Sequence, residues 1–176
     1  MRYVKLLLLS FVLLFALVTV ISLFIPSRVR ISKAINIKED KVRALDQVSN
    51  AVNWKNWYPG IEKTKPLYVE GVIKGAIFDS SSATRQVYLL LDQVKQGEVT
   101  AMFVGSRMRP VSNVWKTVTY SNSDSTTLQW YMDFDLRWYP WEKFASLLLE
   151  QSYGPRMEQG LSNLKRIVES DTATKD

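Results

Sequence analysis

The sequence predicts an α+β protein: an N-terminal transmembrane helix, a curved antiparallel sheet of about seven strands, two short helices after the first strand, and a long C-terminal helix. Three observations predict it. An uncharged apolar run occupies Leu6–Ile25. Apolar and polar side chains alternate through Thr126–Trp138. Apolar residues recur at spacings of three and four between Phe144 and Val168.

The run LLLLSFVLLFALVTVISLFI, from Leu6 through Phe15 to Ile25, suits a bilayer. A helix of about 20 residues covers roughly 30 Å, the hydrocarbon thickness. Ser10, Thr19 and Ser22 can return their hydroxyls to the helix backbone. Two readings compete. A cleaved signal peptide has an apolar core of about 7–15 residues and a small-residue cleavage site. This core is longer and ends in Leu23-Phe24-Ile25-Pro26, with no A-x-A pattern. A permanent anchor is the preferred reading, with residues 1–27 as tail and span. Pro26 stops the helix, because it lacks an N–H and restricts the residue before it. Arg2 and Lys5 on one flank nearly balance Arg28, Arg30 and Lys33 on the other, so the positive-inside bias gives little direction. The expected arrangement is a single-pass protein of the inner or plasma membrane, its tail cytoplasmic and its domain outside the cytoplasm.

The chain beyond the anchor is long enough for one domain with a real core, residues 28–170, and a polar, disordered tail, 171–176. The chain has no Cys and no His. That excludes a disulfide framework, a thiolate nucleophile and a lipid-modified N-terminal Cys. It also removes the commonest metal ligand and the commonest general base. No metal or other cofactor is expected. Net charge is +6, and two of the cations precede the apolar run. So mild an excess suits anionic headgroups and an ordinary soluble surface alike. Nucleic acid is not an expected partner.

Beyond the anchor, each element has its own signal. Arg28–Ile37 alternates, with Val29, Ile31, Ile35 and Ile37 on one face and Lys33 interrupting it, which predicts a half-buried strand. Lys38–Val48 turns to helical spacing, with Glu39 and Asp40 at its start. Ser49 or Asn50 can cap a second short helix reaching Trp54 and Trp57, closed by Pro59-Gly60. Strands are predicted at Leu67–Ile73, Gly75–Asp79, Thr84–Asp92, Glu98–Ser106 and Val111–Tyr120. Their turns are Asp79–Ser82, Gln96-Gly97 and Arg109-Pro110. After the polar turn Ser121–Asp124, Thr126–Trp138 places Leu128, Trp130, Met132, Phe134, Leu136 and Trp138 on one face. Pro140 opens the last helix, to about Glu169, whose stripe is Phe144, Leu147, Leu148, Met157, Leu161, Leu164 and Val168. Gly154-Pro155 should kink or interrupt it. The sheet must bury its apolar face under that stripe, and a strongly curved sheet leaves a space beneath the helix.

This order resembles the START-like superfamily of polyketide cyclase and lipid-transfer proteins, with its helix-grip fold. Ile35-Asn36 closing the first strand, Lys41-Val42, and Trp54 and Trp57 before Pro59 match its start. Trp130-Tyr131-Met132-Asp133 with Pro140, and Gly160-Leu161-Ser162-Asn163-Leu164-Lys165, match its end. The resemblance covers about residues 28–170 and is to the membrane-anchored bacterial type. It implies a cavity between sheet and helix for a hydrophobic or amphipathic small molecule. Some members are cyclases or hydrolases, some carry lipids and some bind proteins, and fold alone does not choose among them.

Candidate ligand-binding residues are therefore Trp57, Trp130, Met132 and Phe134 with Leu148 and Met157 from the helix. Each can line a cavity or simply fill a core. Trp54, Trp57 and Tyr58 can frame a cavity mouth, dip into a lipid interface or plug the sheet. Asp133 and Asp135 are two apart on the polar face, which points them to solvent rather than to acid–base work. Arg107 and Arg109 can meet a phosphate or headgroup, or stand in a solvated loop. The expected function is a membrane-tethered binding module whose partners are membrane lipids and an apolar small molecule. The alternatives are a protein-interaction domain with a filled core and, third, a cyclase or hydrolase.

Overall fold

A computed structural model describes residues 2–38, 41–79, 86–105, 109–119 and 126–173. Helix α1 (Arg2–Leu23) leads into strand β1 (Arg28–Ile37), helix α2 (Lys41–Ser49), a 3₁₀ turn (Ala51–Asn53) and helix α3 (Trp54–Trp57). Strands β2 (Lys65–Val69), β3 (Val72–Asp79), β4 (Val87–Lys95), β5 (Glu98–Gly105), β6 (Val111–Thr119) and β7 (Thr126–Asp135) come next, then helices α4 (Pro140–Ser146) and α5 (Leu149–Ala173). The sheet is a continuous antiparallel meander from β2 to β7, closed at its far edge by β1 beside β7, in the order β1-β7-β6-β5-β4-β3-β2.

Period-two patterning makes β1 and β7 the backbone of the core. Ile31 pairs with Met132, Lys33 with Trp130 and Ile35 with Leu128. Burial along β7 alternates down to Phe134, as its sequence demands. The opposite face is polar, and there Arg30 forks onto Asp133 (2.6 and 2.7 Å) while Arg28 reaches Asp135 (2.9 Å). These are cross-strand neighbours in register. Irregular register in β2–β3, β3–β4 and β4–β5 bends the sheet. Its concave face takes α5, whose Met157, Leu161, Leu164 and Val168 are buried.

Asn50 caps the 3₁₀ turn by accepting from Val52 N. The indoles of Trp54 and Trp57 donate to the carbonyls of Val48 (2.6 Å) and Gln47 (3.2 Å), satisfying acceptors left open at the end of α2.

Several boundaries differ from those the sequence suggests. The first hairpin turns at Glu70-Gly71, both at positive φ, not around Lys74. Gly75 lies inside β3, where a Cβ would stand 2.0 Å from the Leu89 carbonyl oxygen; it serves close strand approach, not a turn. Strand β4 continues past Asp92 to Lys95 through a bulge. Strand β7 ends at Asp135, where its partner β1 begins, so Trp138 lies outside the strand and is exposed. The break in the last helix falls at Leu147-Leu148, whose N–H groups bond back only three residues, to Phe144 and Ala145. Helix α5 runs unbroken through Pro155. The residue before a proline normally clashes through its Cβ, and here it is Gly154. The helix also extends past Glu169 to Ala173, so residues 171–173 are helical rather than tail. Helix α1 closes at Leu23, leaving Ile25 just beyond it, consistent with the restraint Pro26 places on Ile25. The turns at 80–82 and 121–124, the start of β4 at 84 and residues 39, 40, 107 and 120 lie outside the described residues.

Helix α1 is 22 residues long and apolar enough to cross a membrane. Leu6 and Phe15 project from it, exposed.

Candidate functional site

Where the curved sheet and α5 separate, a pocket of about 380 Å³ opens. The sheet supplies Phe78 from β3, Phe103 from β5 and Trp130 and Met132 from β7; Tyr58 and Pro59 lie just after α3; Ser152, Tyr153, Arg156 and Met157 come from α5. Strand alternation aims the sheet residues inward, and a spacing of three and four on α5 puts Tyr153, Arg156 and Met157 on one face.

Trp130 is the fixed wall. Its indole donates to Asn113 Oδ1 (3.3 Å), whose own amide donates to the Val111 carbonyl (3.4 Å), all buried. The rings of Trp115 and Tyr58 lie 5.2 Å away and that of Trp57 lies 6.1 Å away, edge-on. From the helix side, Gly160 allows contact: a Cβ there would stand 2.9 Å from the Trp130 ring and 3.0 Å from Pro59. Across the pocket, Phe78 and Phe103 meet edge-to-face at 5.6 Å.

The polar lining is sparse. Burial holds the Tyr58 phenol well above its ordinary pKa, so it is a neutral hydroxyl inside the cavity. Ser152 and Arg156 are exposed on the α5 side and form the rim. No carboxylate borders this pocket among the described residues. Nor do any three His, Cys, Asp or Glu side chains gather as a metal site among them.

A second pocket of about 230 Å³ lies toward the start of β1, between the end of β7 and the α4–α5 junction. Phe134, Val111, Leu136 and Leu149 give it apolar walls; Arg109, Asp135, Arg137 and Glu142 border it. The rings of Phe134 and Tyr153, 5.1 Å apart, stand between the two pockets.

The structure thus brings together Trp130, Met132 and Met157 in the larger pocket, and places Phe134 in the smaller. Trp57 sits one layer back, buried against Trp130. Leu148 belongs to neither: it lies in the turn between α4 and α5, 59% exposed, because the helix breaks there. Trp54 and Trp57 plug the sheet rather than meet lipid, each at most 1% exposed. Asp133 and Asp135 face outward, paired with arginines. Arg109 is exposed. Phe78 and Phe103 were not among the expected residues. Phe103 obeys the inward alternation of β5, but the bulge beside Phe78 hides its phase. Tyr153 stands three residues before Arg156 and four before Met157, a helical spacing present in the sequence.

Comparisons with known proteins agree with this fold. The model of a family described as polyketide cyclase / dehydrase and lipid transport matches residues 28–169. No curated protein matches the chain. Among solved structures, an aromatase/cyclase from Streptomyces sp. R1128 superposes with a TM-score of 0.59 at 13% identity, over 81% of this chain and 94% of that one. A START superfamily protein from Mycobacterium smegmatis gives 0.54 at 18%, over 80% and 97%. Norcoclaurine synthase from Thalictrum flavum, in complex with dopamine and hydroxybenzaldehyde, gives 0.58 at 11%, over 81% and 87%. At such identities these likenesses show the fold alone.

Proposed function

The chain belongs to the polyketide cyclase / dehydrase and lipid transport family, and from that premise we propose that it is a membrane-tethered binding module for one apolar or amphipathic small molecule. The carrying observation is the pocket between sheet and α5, about 380 Å³, walled by Trp130, Met132, Phe78, Phe103 and Met157. That volume lies at the small end of ligand sites, roughly 300–1,000 Å³. It suits a ring system or a single chain better than a two-chain lipid. Tyr58 offers a neutral hydroxyl within, and Ser152 and Arg156 offer polar contacts at the rim, so an occupant with one polar end is favoured. Helix α1 supports the tether, holding the domain beside the membrane as a source of such molecules.

A second reading has an observation of its own. Beyond Trp130 the space under α5 is filled by Trp54, Trp57 and Trp115, which favours a largely solid domain acting through its surface.

Titration of residues 28–176 with a fluorescent single-chain fatty acid separates the two. The binding module takes up the probe one-to-one. Ser152→Trp, placed at the exposed rim, weakens uptake about tenfold, roughly 1.4 kcal/mol, without changing the thermal midpoint. Equal uptake by both proteins would place the probe elsewhere. No uptake by a folded wild-type domain would favour the surface reading.

A further inference from the structure

Helix α4 is amphipathic the wrong way round for a helix in water. Its polar residues Lys143 and Ser146 are turned into the protein, 3% and 6% exposed. Trp141 and Phe144 project outward from α4, three residues apart, and Leu147 and Leu148 in the turn that follows are exposed beside them. Trp141 and Leu147 are 60% and 65% exposed. The patch continues into an aromatic platform: Tyr139 stacks on Trp141 at 4.8 Å and touches Trp138 at 5.0 Å. Burial against the sheet cannot explain these residues, since α4 faces them away from it.

Their position is defined by α1. Helix α1 packs on α4, and Ser22 in its last turn is fully buried. The Lys143 ammonium donates to the Ile25 carbonyl and to Ser27 Oγ, both 2.8 Å, so α4 is fastened to the segment where the chain leaves α1. Phe24, 85% exposed, belongs to the same region. The patch is therefore continuous with the apolar surface of α1. Nearby cations are already engaged: Arg28 with Asp135, Arg137 with Glu142 and with the Tyr139 ring.

Resting on the reading that α1 spans the membrane, we propose that α4 and the turn after it lie in the lipid–water interface beside α1, with Trp138, Trp141, Phe144 and Leu147 at headgroup and upper acyl depth. Trp and Tyr favour that zone, with ring in lipid and polar edge in water. Such a helix lies flat in the interface through its apolar face. The docking is driven by apolar burial rather than charge, so it holds on zwitterionic lipid. It fixes the domain's pose, with the β4–β5 hairpin pointing away from the bilayer. The smaller pocket, bordered by Glu142, Ala145 and Ser146 of α4, then opens beside the lipid.

The absence of cysteine allows a direct test. Full-length Trp141→Cys, Leu147→Cys, Leu14→Cys and Gln96→Cys proteins are spin-labelled in phosphatidylcholine vesicles, and access to oxygen is compared with access to a nickel chelate. The expected oxygen-to-nickel ratio is highest at 14, several-fold above that of 96 at both 141 and 147, and water-like at 96. Water-like ratios at 141 and 147 with lipid-like values at 14 would overturn the docking and leave the anchor intact. A water-like value at 14 would overturn the anchor reading and this one with it. Labels at 141 and 147 shielded from both reagents would mean a protein covers the patch, which also overturns it.

Discussion

Trp130 stands where β7, α3 and α5 meet, and its surroundings leave it little freedom. Asn113 fixes the indole N–H, Trp57 and Trp115 back the ring, and Gly160 admits the helix. An added methyl at 160 meets the ring at 2.9 Å and Pro59 at 3.0 Å, so the ring, the proline or α5 itself must shift. Gly160→Ala is therefore expected to cost about 1–3 kcal/mol, read from the midpoint of denaturant unfolding, with α5 displaced outward over the pocket. An unchanged midpoint would mean that the ring yields and that the wall is softer than its contacts suggest. Tyr58 shows how environment, not residue type, sets a site group's chemistry. Its phenol is an ordinary one in sequence, and burial beside Trp130 keeps it neutral far into the alkaline range.

At the level of elements, β1 and α5 are joined by a polar clasp at the solvent-facing edge of an otherwise apolar contact. Lys33, the one break in the apolar face of β1, reaches Glu150 and Glu158, each at 2.7 Å, across the notch that Gly154 leaves between them. Hydrogen bonding to Glu150, then to Glu158, raises the Lys33 pKa above its ordinary 10.5. A raised folded-state pKa means that the clasp contributes fully below pH 10.5 and fades as pH climbs past the folded value. Lys33→Met is expected to lower the thermal midpoint at neutral pH and low salt. The gap to wild type should shrink in high salt and vanish well above pH 10.5. A salt-independent gap would mean that the stem's packing matters rather than its charge. Lys33 also marks how far the sequence could be read. Alternation located β1 and β7 and their shared face, because a strand with one buried side has a fixed phase. It could not show why a lysine sits on that face, since its partners lie more than a hundred residues on. Leu148 is the converse case. Its spacing matched the buried stripe, but the helix breaks beside it, and a stripe counted across a break points the wrong way. Phe78 was hidden by a bulge, which shifts phase without any signature in residue type.

For the whole molecule, the meander, the plug of tryptophans and the long helix divide the space under the sheet into a filled half and an open half. The filled half, around Trp54, Trp57 and Trp115, holds the curvature; the open half, from Trp130 to Phe103, is the space a ligand would take. Fold class, helix-over-sheet layering and the Trp130, Met132 and Met157 walls of the larger pocket were legible because they rest on periodicity and on large apolar residues. The division of the interior was not, because it depends on which aromatic ring faces which across strands distant in sequence. The binding function proposed for this fold rests on the open half holding a molecule. Native mass spectrometry of residues 28–176, purified without detergent, tests it most directly. One bound small molecule per chain is expected in the wild type, lost in Ser152→Trp. A folded wild type that carries nothing, and accepts nothing from added extracts of membrane lipid, would contradict it.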